Sequence, residues 1–395
     1  MRRVYMDANA TTPLLPEVFE AMRPYWMEHY GNASSIHQQG QRARTAVDQA
    51  RETLAEFFGC HAAEVVFNSG GTEGDNNALF GLLHPGDHLI TTAIEHSAVL
   101  AAADRLAHDG IETTQIAPRP NGLIDPMDIL RAIRPETRLI SVMLANNETG
   151  VIQPVEEIGR IAAQTGVFFH IDAVQGAGKI PIDVKRIGCH ILTISGHKMY
   201  APKGIGAMFV RKGTPLDPLL VGGSHERRRR AGTENVPSIV ALGKAAEIAM
   251  HGLESGAMYR VAALRDRLEN GILARIPGSG VNGADAQGKI APRAANTSNI
   301  WFDQLEGEAL VIALDLKGLS VSGGSACHSG ATEPSHVLMA MGLDKARARA
   351  SLRFSLLKTV TEADIDYALE VVPAAVERLR ELSPEMAGTS PAYAS

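Results

Sequence analysis

Short apolar runs rich in β-branched residues alternate with longer helical stretches, and this alternation constrains the fold more than any other feature. It predicts an α/β domain in which helices cover both faces of a mostly parallel sheet. Ligands bind such sheets at the carboxyl ends of the strands, where the loops open. The predicted strands are residues 65–67, 88–90, 139–142, 167–171, 191–194 and 207–210, with helices at 73–83, 97–108 and 155–164.

The pattern changes after residue 235, where one long helix is predicted from about Ile239 to Ala274. A chain of 395 residues favours two domains, and we place the boundary inside this helix, near residue 260. The predicted division is a large domain at 15–259, a smaller α+β domain made of 1–14 with 260–384, and a frayed tail at 385–395.

Composition narrows the function classes. The net charge of −6 disfavours nucleic acid as a direct partner. No uninterrupted run of 18 apolar residues predicts a membrane helix, and no apolar signal region follows Met1. Because the chain has only three cysteines and no CxxC motif, a reducing, cytoplasmic location is expected.

The loop from Asn68 to Glu73, NSGGTE, lies between a predicted strand and a predicted helix. Glycines let the backbone approach an anion closely, and a helix N-terminus supplies N–H groups and positive dipole for it. The loop therefore suits a phosphate group. Taken alone, it is more typical of a helix cap with a glutamate close behind.

Two charged residues each follow an apolar strand. Asp172 ends one strand and could pair with a protonated ring nitrogen, although a capping aspartate is at least as common there. Lys198 ends another, where loss of solvent would lower its pKa and favour imine formation, whereas most lysines are solvated surface charges. A phosphate loop, an acid and a strand-end lysine in this order are what pyridoxal phosphate needs.

Ten short motifs follow one another along the chain: NATTP at 9–13, GNASS at 31–35, EH at 95–96, ANNETG at 145–150, DAVQ at 172–175, SGHK at 195–198, RAGTEN at 230–235, GSAC at 324–327, EPSH at 333–336 and RFSL at 353–356. With these motifs, the sequence from Val4 to about Pro384 resembles the cysteine desulfurases of nitrogen fixation and iron–sulfur assembly. The resemblance implies a pyridoxal-phosphate-dependent, aminotransferase-like fold with a large and a small domain.

The resemblance also implies roles for individual residues around pyridoxal phosphate. Lys198 would be the Schiff-base lysine, and Asp172 would pair with the pyridinium nitrogen. Gln175 and Asn147 would bond the phenolic oxygen of the ring. His96 would stack on the ring face and transfer protons. The residues implied to hold the phosphate are Gly71, Thr72, Ser195 and His197.

Further implied roles concern the substrate and the neighbouring subunit. Arg353 would bind the substrate carboxylate as a bidentate fork, which a lysine could not imitate. Asn32 and Asn147 are further candidates at the substrate. Thr233 would reach the phosphate of a neighbouring subunit, which implies a homodimer with shared sites.

Cys327 is the candidate nucleophile. It lies in a run from Ser320 to Gly330 that is too rich in Gly and Ser for a regular element, and a flexible loop suits a group that must enter and leave a site. A buried structural thiol is the alternative, but the polar loop argues against it. Cys60 and Cys189 follow or flank apolar segments and are predicted to be core residues.

The implied reaction converts L-cysteine to L-alanine and leaves a persulfide on Cys327. An iron–sulfur scaffold or another sulfur-acceptor protein would then take the sulfur. Cys327 is also a candidate for transient sharing of an iron–sulfur cluster with such a scaffold, and no structural metal site is expected.

Two other function classes remain. A transaminase or selenocysteine lyase could use the same scaffold, although the Cys327 loop argues against amino-group transfer. A non-enzymatic subunit that only binds partners is the third interpretation, and the presence of Lys198, Asp172 and Cys327 argues against it.

The sequence departs from the family pattern at a few positions. Gly71 and Gly74 stand where alanine and serine are common, and we expect them to loosen the phosphate loop. Gly323 stands where a second serine is usual. His328 follows Cys327 where threonine is typical; it could favour the thiolate, or be a solvated loop histidine.

Overall fold

The computed structural model describes residues 2–323 and 333–382. Its largest sheet has seven strands in the order β2-β8-β7-β6-β5-β3-β4, and every neighbouring pair from β7 to β4 is parallel. The strands of the described residues are β1 (Val4–Tyr5), β2 (Val65–Asn68), β3 (His88–Thr92), β4 (Glu112–Ile116), β5 (Thr137–Met143), β6 (Phe168–Asp172), β7 (Ile191–Ser195), β8 (Gly206–Val210), β9 (Ser279–Val281), β10 (Thr297–Phe302), β11 (Leu319–Ser320), β12 (Ser322–Gly323) and β13 (Ser351–Ser355).

Helices flank this sheet, as the alternation in the sequence predicts, because strands that are apolar on both faces must be covered on both. The helices of the described residues are α1 (Pro16–Met22), α2 (Pro24–Met27), α3 (Gln38–Phe58), α4 (Gly71–Phe80), α5 (Ser97–Ala107), α6 (Pro126–Ala132), α7 (Val155–Thr165), α8 (Val184–Ile187), α9 (Val236–Glu254), α10 (Ala257–Arg275), α11 (Gly307–Asp315), α12 (His336–Ala340), α13 (Lys345–Arg349) and α14 (Glu362–Leu382). None of them combines the length and the apolar character needed to cross a membrane.

The six predicted strands of the large sheet are all present, and the mostly parallel α/β fold is confirmed. The edge strand β4 was not predicted. Its sequence, ETTQI, is polar and largely exposed, so it lacks the apolar signal of a buried strand. Strand β8 runs antiparallel to both of its neighbours, β2 and β7.

A second core lies around a four-stranded antiparallel sheet in the order β12-β13-β10-β9. Apolar residues of α10, α11 and α14 pack with this sheet, whereas α9 packs in the core of the large sheet. The prediction of one long helix at 239–274 is wrong. The chain forms α9 and α10, and Ser255 and Gly256 separate them because Gly256 takes a left-handed φ of 73°.

The turn at Ser255 and Gly256 lies where the chain passes from the first core to the second. The boundary that we place near residue 260 is four residues beyond it, and the division into two domains stays a prediction.

The N-terminal segment at 7–12 connects the small sheet to the large one. The Ala8 N–H donates to the Ser355 carbonyl of β13 over 2.9 Å, and the Thr12 N–H donates to the His197 carbonyl just after β7, also over 2.9 Å. This segment therefore lies across the carboxyl edge of the large sheet.

Candidate active site

A cavity of about 320 Å³ opens at the carboxyl ends of β2, β5, β6 and β7. This is the edge at which parallel α/β sheets bind ligands. Ten of the residues proposed from the sequence line it, namely Gly71, Thr72, His96, Asn147, Asp172, Gln175, Ser195, His197, Lys198 and Arg353. The structure therefore brings together side chains and loops that are separated by up to 282 positions along the chain, from 71 to 353.

Lys198 lies in the short turn that follows β7. Its Nζ donates to the main-chain carbonyls of Asn9, over 2.6 Å, and of Ala10, over 2.7 Å. The N-terminal segment thus holds the amine at the wall of the cavity. A lysine held in a partly buried cavity is placed to bond covalently to an aldehyde.

Asp172 ends β6, and its Oδ1 accepts a hydrogen bond from the Val174 N–H over 2.9 Å. Burial raises the pKa of this carboxyl, while His96 and Lys198 oppose the rise. Two more buried acids, Asp75 and Glu95, interact electrostatically with Asp172.

Burial raises the pKa of both of these acids. Burial and then repulsion from Asp172 raise the pKa of Asp75 well above its usual range. Burial raises the pKa of Glu95 to about 8, although its Oε1 accepts from Thr92 Oγ1 over 2.7 Å and the Met143 N–H over 3.0 Å. This part of the cavity would therefore stabilise a cationic group placed against it.

His96 is the N-cap of α5, and its Nδ1 accepts from the Ala98 N–H over 3.1 Å. A neutral imidazole that accepts at Nδ1 carries its proton on Nε2. Burial lowers the pKa of His96, and the positive charge of Lys198 lowers it further. Near neutral pH this side chain is thus a neutral ring that presents an Nε2–H donor.

The phosphate-loop prediction falls on the N-terminus of α4. Gly70 is the N-cap, and the structure gives it no side-chain cap, while the Gly71 and Thr72 backbone lines the cavity. Ser195 and His197 lie on the same wall. Burial and nearby lysines lower the pKa of His197 to about 4, so it is neutral near pH 7. First-turn N–H groups and the helix dipole favour an anion here.

The glycines at 71 and 74 let α4 pack tightly on the sheet rather than loosening the loop. A Cβ at Gly71 would lie 2.8 Å from Val174 Cγ2, and one at Gly74 would lie 2.4 Å from Thr193 Cγ2. No real Cβ approaches neighbouring atoms so closely, so the larger Val174 and Thr193 require glycine on the facing helix.

Arg353, on β13, reaches the cavity from the second sheet. Its guanidinium donates to Asp7 Oδ1 over 2.7 Å and to the Asn147 carbonyl over 3.0 Å. Its Nε has no hydrogen-bond partner within the described part of the chain, although the side chain is buried. Asp7 and Asn147 thus fix the plane of the guanidinium at the wall of the cavity.

Two proposed site residues lie elsewhere. Thr233 lines a separate cavity of about 240 Å³. Asn32 is exposed, and its Oδ1 accepts from the Ser34 N–H over 2.8 Å. The proposed nucleophile Cys327 and its neighbour His328 lie outside the described residues.

The other two cysteines are poor nucleophiles. Cys189 is fully buried in the core, and Cys60 is partly buried beside it. Burial raises the pKa of both thiols to about 12, so neither is a thiolate near neutral pH.

Sequence reasoning assigned no role to Asn9 or Asp75, which also line the cavity. Asp75 lies four residues after Gly71, on the inner face of α4, and a charge on a buried helix face was the available signal. Asn9 contributes its main-chain carbonyl to Lys198, and its side-chain amide donates to the Asn147 carbonyl over 3.0 Å and to Thr297 Oγ1 over 2.9 Å. Its place in the NATTP motif was the available signal.

The residues present fit pyridoxal phosphate. The α4 N-terminus would hold an anionic phosphate, and the acids around Asp172 would hold a cationic ring nitrogen. Glu95 Oε2 is buried without a hydrogen-bond partner among the described residues, which a nearby cation would compensate. Lys198 supplies the amine.

We predict that Gly74→Ser destabilises the protein by about 1–3 kcal/mol, because its Cβ would overlap Thr193 Cγ2. Thr193→Ser removes that methyl group and keeps the hydroxyl that contacts His170. Urea unfolding of the two single variants and the double variant tests this. The double variant should recover part of the loss, because the Thr193 hydroxyl also lies 2.9 Å from that Cβ and remains; a purely additive result would contradict the packing argument.

We also predict a pH-dependent cost of burying Glu95. The pKa of this carboxyl rises to about 8 in the folded protein, so the unfolded chain loses its proton first as pH rises. Relative to Glu95→Gln, the protein without added cofactor should lose roughly 1.4 kcal/mol of stability per pH unit between about 5 and 8. Unfolding free energies of both proteins across this range measure the difference. A constant difference would contradict the prediction.

The family model "Aminotransferase class-V" matches residues 4–368. A cysteine desulfurase of Trichormus azollae is 48% identical over 97% of this chain and 95% of its own. The cysteine desulfurase IscS of Methanosarcina thermophila is 47% identical over 97% and 94%.

Solved structures give the same result. A NifS-like protein superposes with a TM-score of 0.88 at 35% identity, covering 96% of this chain and all of the other. SspA in complex with cysteine superposes with a TM-score of 0.77 at 35% identity, covering 89% of this chain and 98% of the other.

Proposed function

This chain belongs to the class-V aminotransferase family, and we propose that it is a pyridoxal-phosphate-dependent cysteine desulfurase. The observation that carries the proposal is the meeting of Lys198, Asp172 and the α4 N-terminus at one cavity, in a chain 48% identical to a cysteine desulfurase. The substrate is L-cysteine and the products are L-alanine and a persulfide.

Residues on different sides of the cavity would hold the two ends of the cofactor. Gly71, Thr72, Ser195 and His197 would bind its phosphate, Asp172 would pair with its ring nitrogen, and Gln175 and Asn147 would contact its phenolic oxygen. When bound, pyridoxal phosphate withdraws electrons from the Cα of an amino acid.

The protein's own residues orient the substrate and move its protons. Arg353, fixed by Asp7, receives the carboxylate of cysteine, and Asn32 is a further candidate for that end of the substrate. Lys198 takes the proton from Cα, and His96 is the proposed proton donor, through its Nε2–H.

Cys327 accepts the sulfur. Its thiolate attacks the substrate sulfur, an S–S bond forms as the C–S bond of cysteine breaks, and a proton adds to the carbon that becomes the alanine methyl group. Cys60 and Cys189 are disfavoured for this step because burial raises the pKa of both thiols to about 12.

The persulfide then passes to an acceptor protein, and we propose an iron–sulfur scaffold in the cytoplasm. The likeness to a protein named IscS supports this destination. A reducing compartment is also needed to keep Cys327 as a thiol between turnovers.

Two variants distinguish the proposed role of Lys198 from that of Cys327. Lys198→Ala should lose covalent attachment of the cofactor, detected by mass after borohydride reduction. Cys327→Ala should keep that attachment and lose at least 100-fold in sulfide release from L-cysteine with dithiothreitol present. Full sulfide release by Cys327→Ala would contradict the persulfide step. Alanine formed only when a keto acid is added would instead indicate a transaminase.

We further propose that the protein acts as a homodimer that shares its sites. Large apolar side chains are exposed close together in the chain, with Trp26 60%, Met27 78%, Tyr30 74% and Ile36 91% exposed. Large apolar side chains left exposed in this way are typical of a protein interface. Because Thr233 lies outside the cavity of its own Lys198, the site of a partner is its proposed target.

Mixed dimers test the shared site. Thr233→Asp would repel the phosphate of the partner's cofactor, and Lys198→Ala inactivates its own site. Each homodimer should be inactive, whereas a co-expressed mixed dimer should regain up to about half of the wild-type activity, since one site has both residues intact. Activity per purified mixed dimer is the measurement. No recovery, or a monomer by light scattering, would contradict the proposal.

A further inference from the structure

Lys179 is a partly buried lysine to which neither the sequence motifs nor the proposed reaction assigns a role. It lies in the turn that follows β6, and its Nζ donates to two oxygens of Gln175. The distances are 2.9 Å to the side-chain Oε1 and 3.1 Å to the main-chain carbonyl. Both bonds are made to one residue, so Lys179 acts on Gln175.

These contacts fix which way the Gln175 amide points. A protonated lysine amine can only donate, so the atom facing it is then the amide oxygen. On the other side, the Gln175 Nε2 donates to the Asn9 carbonyl over 2.9 Å, and a carbonyl can only accept. The two neighbours therefore set the same orientation from opposite sides, independently of how the two atoms of the amide are named.

The fixed orientation decides what Gln175 offers to the cavity. Its oxygen is engaged by Lys179, whereas its nitrogen carries a second hydrogen besides the one given to Asn9. Gln175 lines the cavity, so it presents a donor and not an acceptor there. A donor favours an oxygen that bears negative charge.

The same carbonyl links this pair to Lys198. The Asn9 carbonyl accepts from the Gln175 amide and from Lys198 Nζ. Lys179 and Lys198 also line a second cavity, of about 260 Å³, behind the first. A hydrogen-bonded chain thus runs from Lys179 through Gln175 and Asn9 to the reactive amine.

Burying an amine next to other cations is unfavourable. Burial, and then repulsion from Lys198 and Arg353, lowers the pKa of Lys179 to about 7. The hydrogen bonds of the amine must offset this unfavourable free energy. Both of these hydrogen bonds go to Gln175.

We propose that Lys179 is a positioning residue that holds the Gln175 amide with its N–H toward the phenolic oxygen of pyridoxal phosphate. This rests on the proposed function, because the bound group is the cofactor of that reaction. Without Lys179 only the Asn9 carbonyl holds the amide in this orientation, so the amide rotates more easily, and a rotated amide would turn its oxygen toward an oxygen of like charge.

The test is a pH titration of the visible absorbance of the protein with bound pyridoxal phosphate, together with its cofactor dissociation constant. Lys179→Met removes the donor and the charge. It should raise the apparent pKa of the absorbance change by about one and weaken cofactor binding about tenfold. Lys179→Gln removes the charge but keeps a donor, and it should stay close to the wild-type values.

A double variant separates positioning from a direct effect of charge. In a Gln175→Leu background, Lys179→Met should cause no further change, because its target is gone. An additional shift of the same size there would overturn the proposal, as would wild-type values for Lys179→Met alone. Lys358→Met is the matched control, since Lys358 lines the same second cavity and its amine lies over the Tyr200 ring, away from Gln175.

Other results are equally decisive. If Lys179→Met shows no thermal unfolding transition, and so is not folded, Lys179→Gln replaces it in the test. The proposal is then overturned if Lys179→Gln shifts the apparent pKa of the absorbance change as much as Gln175→Leu does. If the wild-type protein does not bind pyridoxal phosphate at all, the proposed function fails and this inference fails with it. Normal binding by the wild type with no effect of Lys179→Met refutes the inference alone.

Discussion

The main-chain carbonyl of Asn9 accepts hydrogen bonds from Lys198 and from Gln175, and the arrangement of the site depends on it. Lys198 belongs to the large sheet, whereas the N-terminal segment bonds to β13 of the small sheet through Ala8. The two cores therefore meet at the reactive amine. A change in how they pack would move the segment and, with it, the position of the lysine.

The charges around the cavity are arranged in two groups. Buried carboxyls at Asp172, Asp75 and Glu95 lie where a cationic ring nitrogen would bind, and the pKa of each is raised. Amines and the α4 N-terminus favour the anionic groups. Holding groups of like charge close together in a folded protein is unfavourable in free energy. A ligand with a cationic group at the carboxyls and an anionic group at the amines and the α4 N-terminus would compensate both. The cost of preorganising the site is thus recovered on binding.

The sequence allowed the large sheet to be predicted because each of its buried strands is a short run of apolar residues. It did not reveal β4, which is polar and at the edge, nor the break at Gly256, where the surrounding helix-forming residues masked a single turn. In the site, side chains with distinctive chemistry such as Lys198 and Asp172 could be proposed from motifs. Every residue type supplies a main-chain carbonyl. The contacts that the Asn9 carbonyl makes with Lys198 and Gln175 therefore could not be predicted from the sequence. The orientation of the Gln175 amide could not be predicted from the sequence. Lys179 lies four residues after Gln175, a spacing that is common to many residue pairs in helices, so only the structure shows that the two side chains are hydrogen-bonded.

The central claim is that this cavity removes sulfur from cysteine. The most direct measurement adds L-cysteine to the purified wild-type protein with bound pyridoxal phosphate and dithiothreitol, and follows alanine and sulfide together. The account predicts that the two products form in equal amounts and over many turnovers. Alanine without sulfide, or neither product from a protein that shows the cofactor's visible absorbance near ~400 nm, would contradict it.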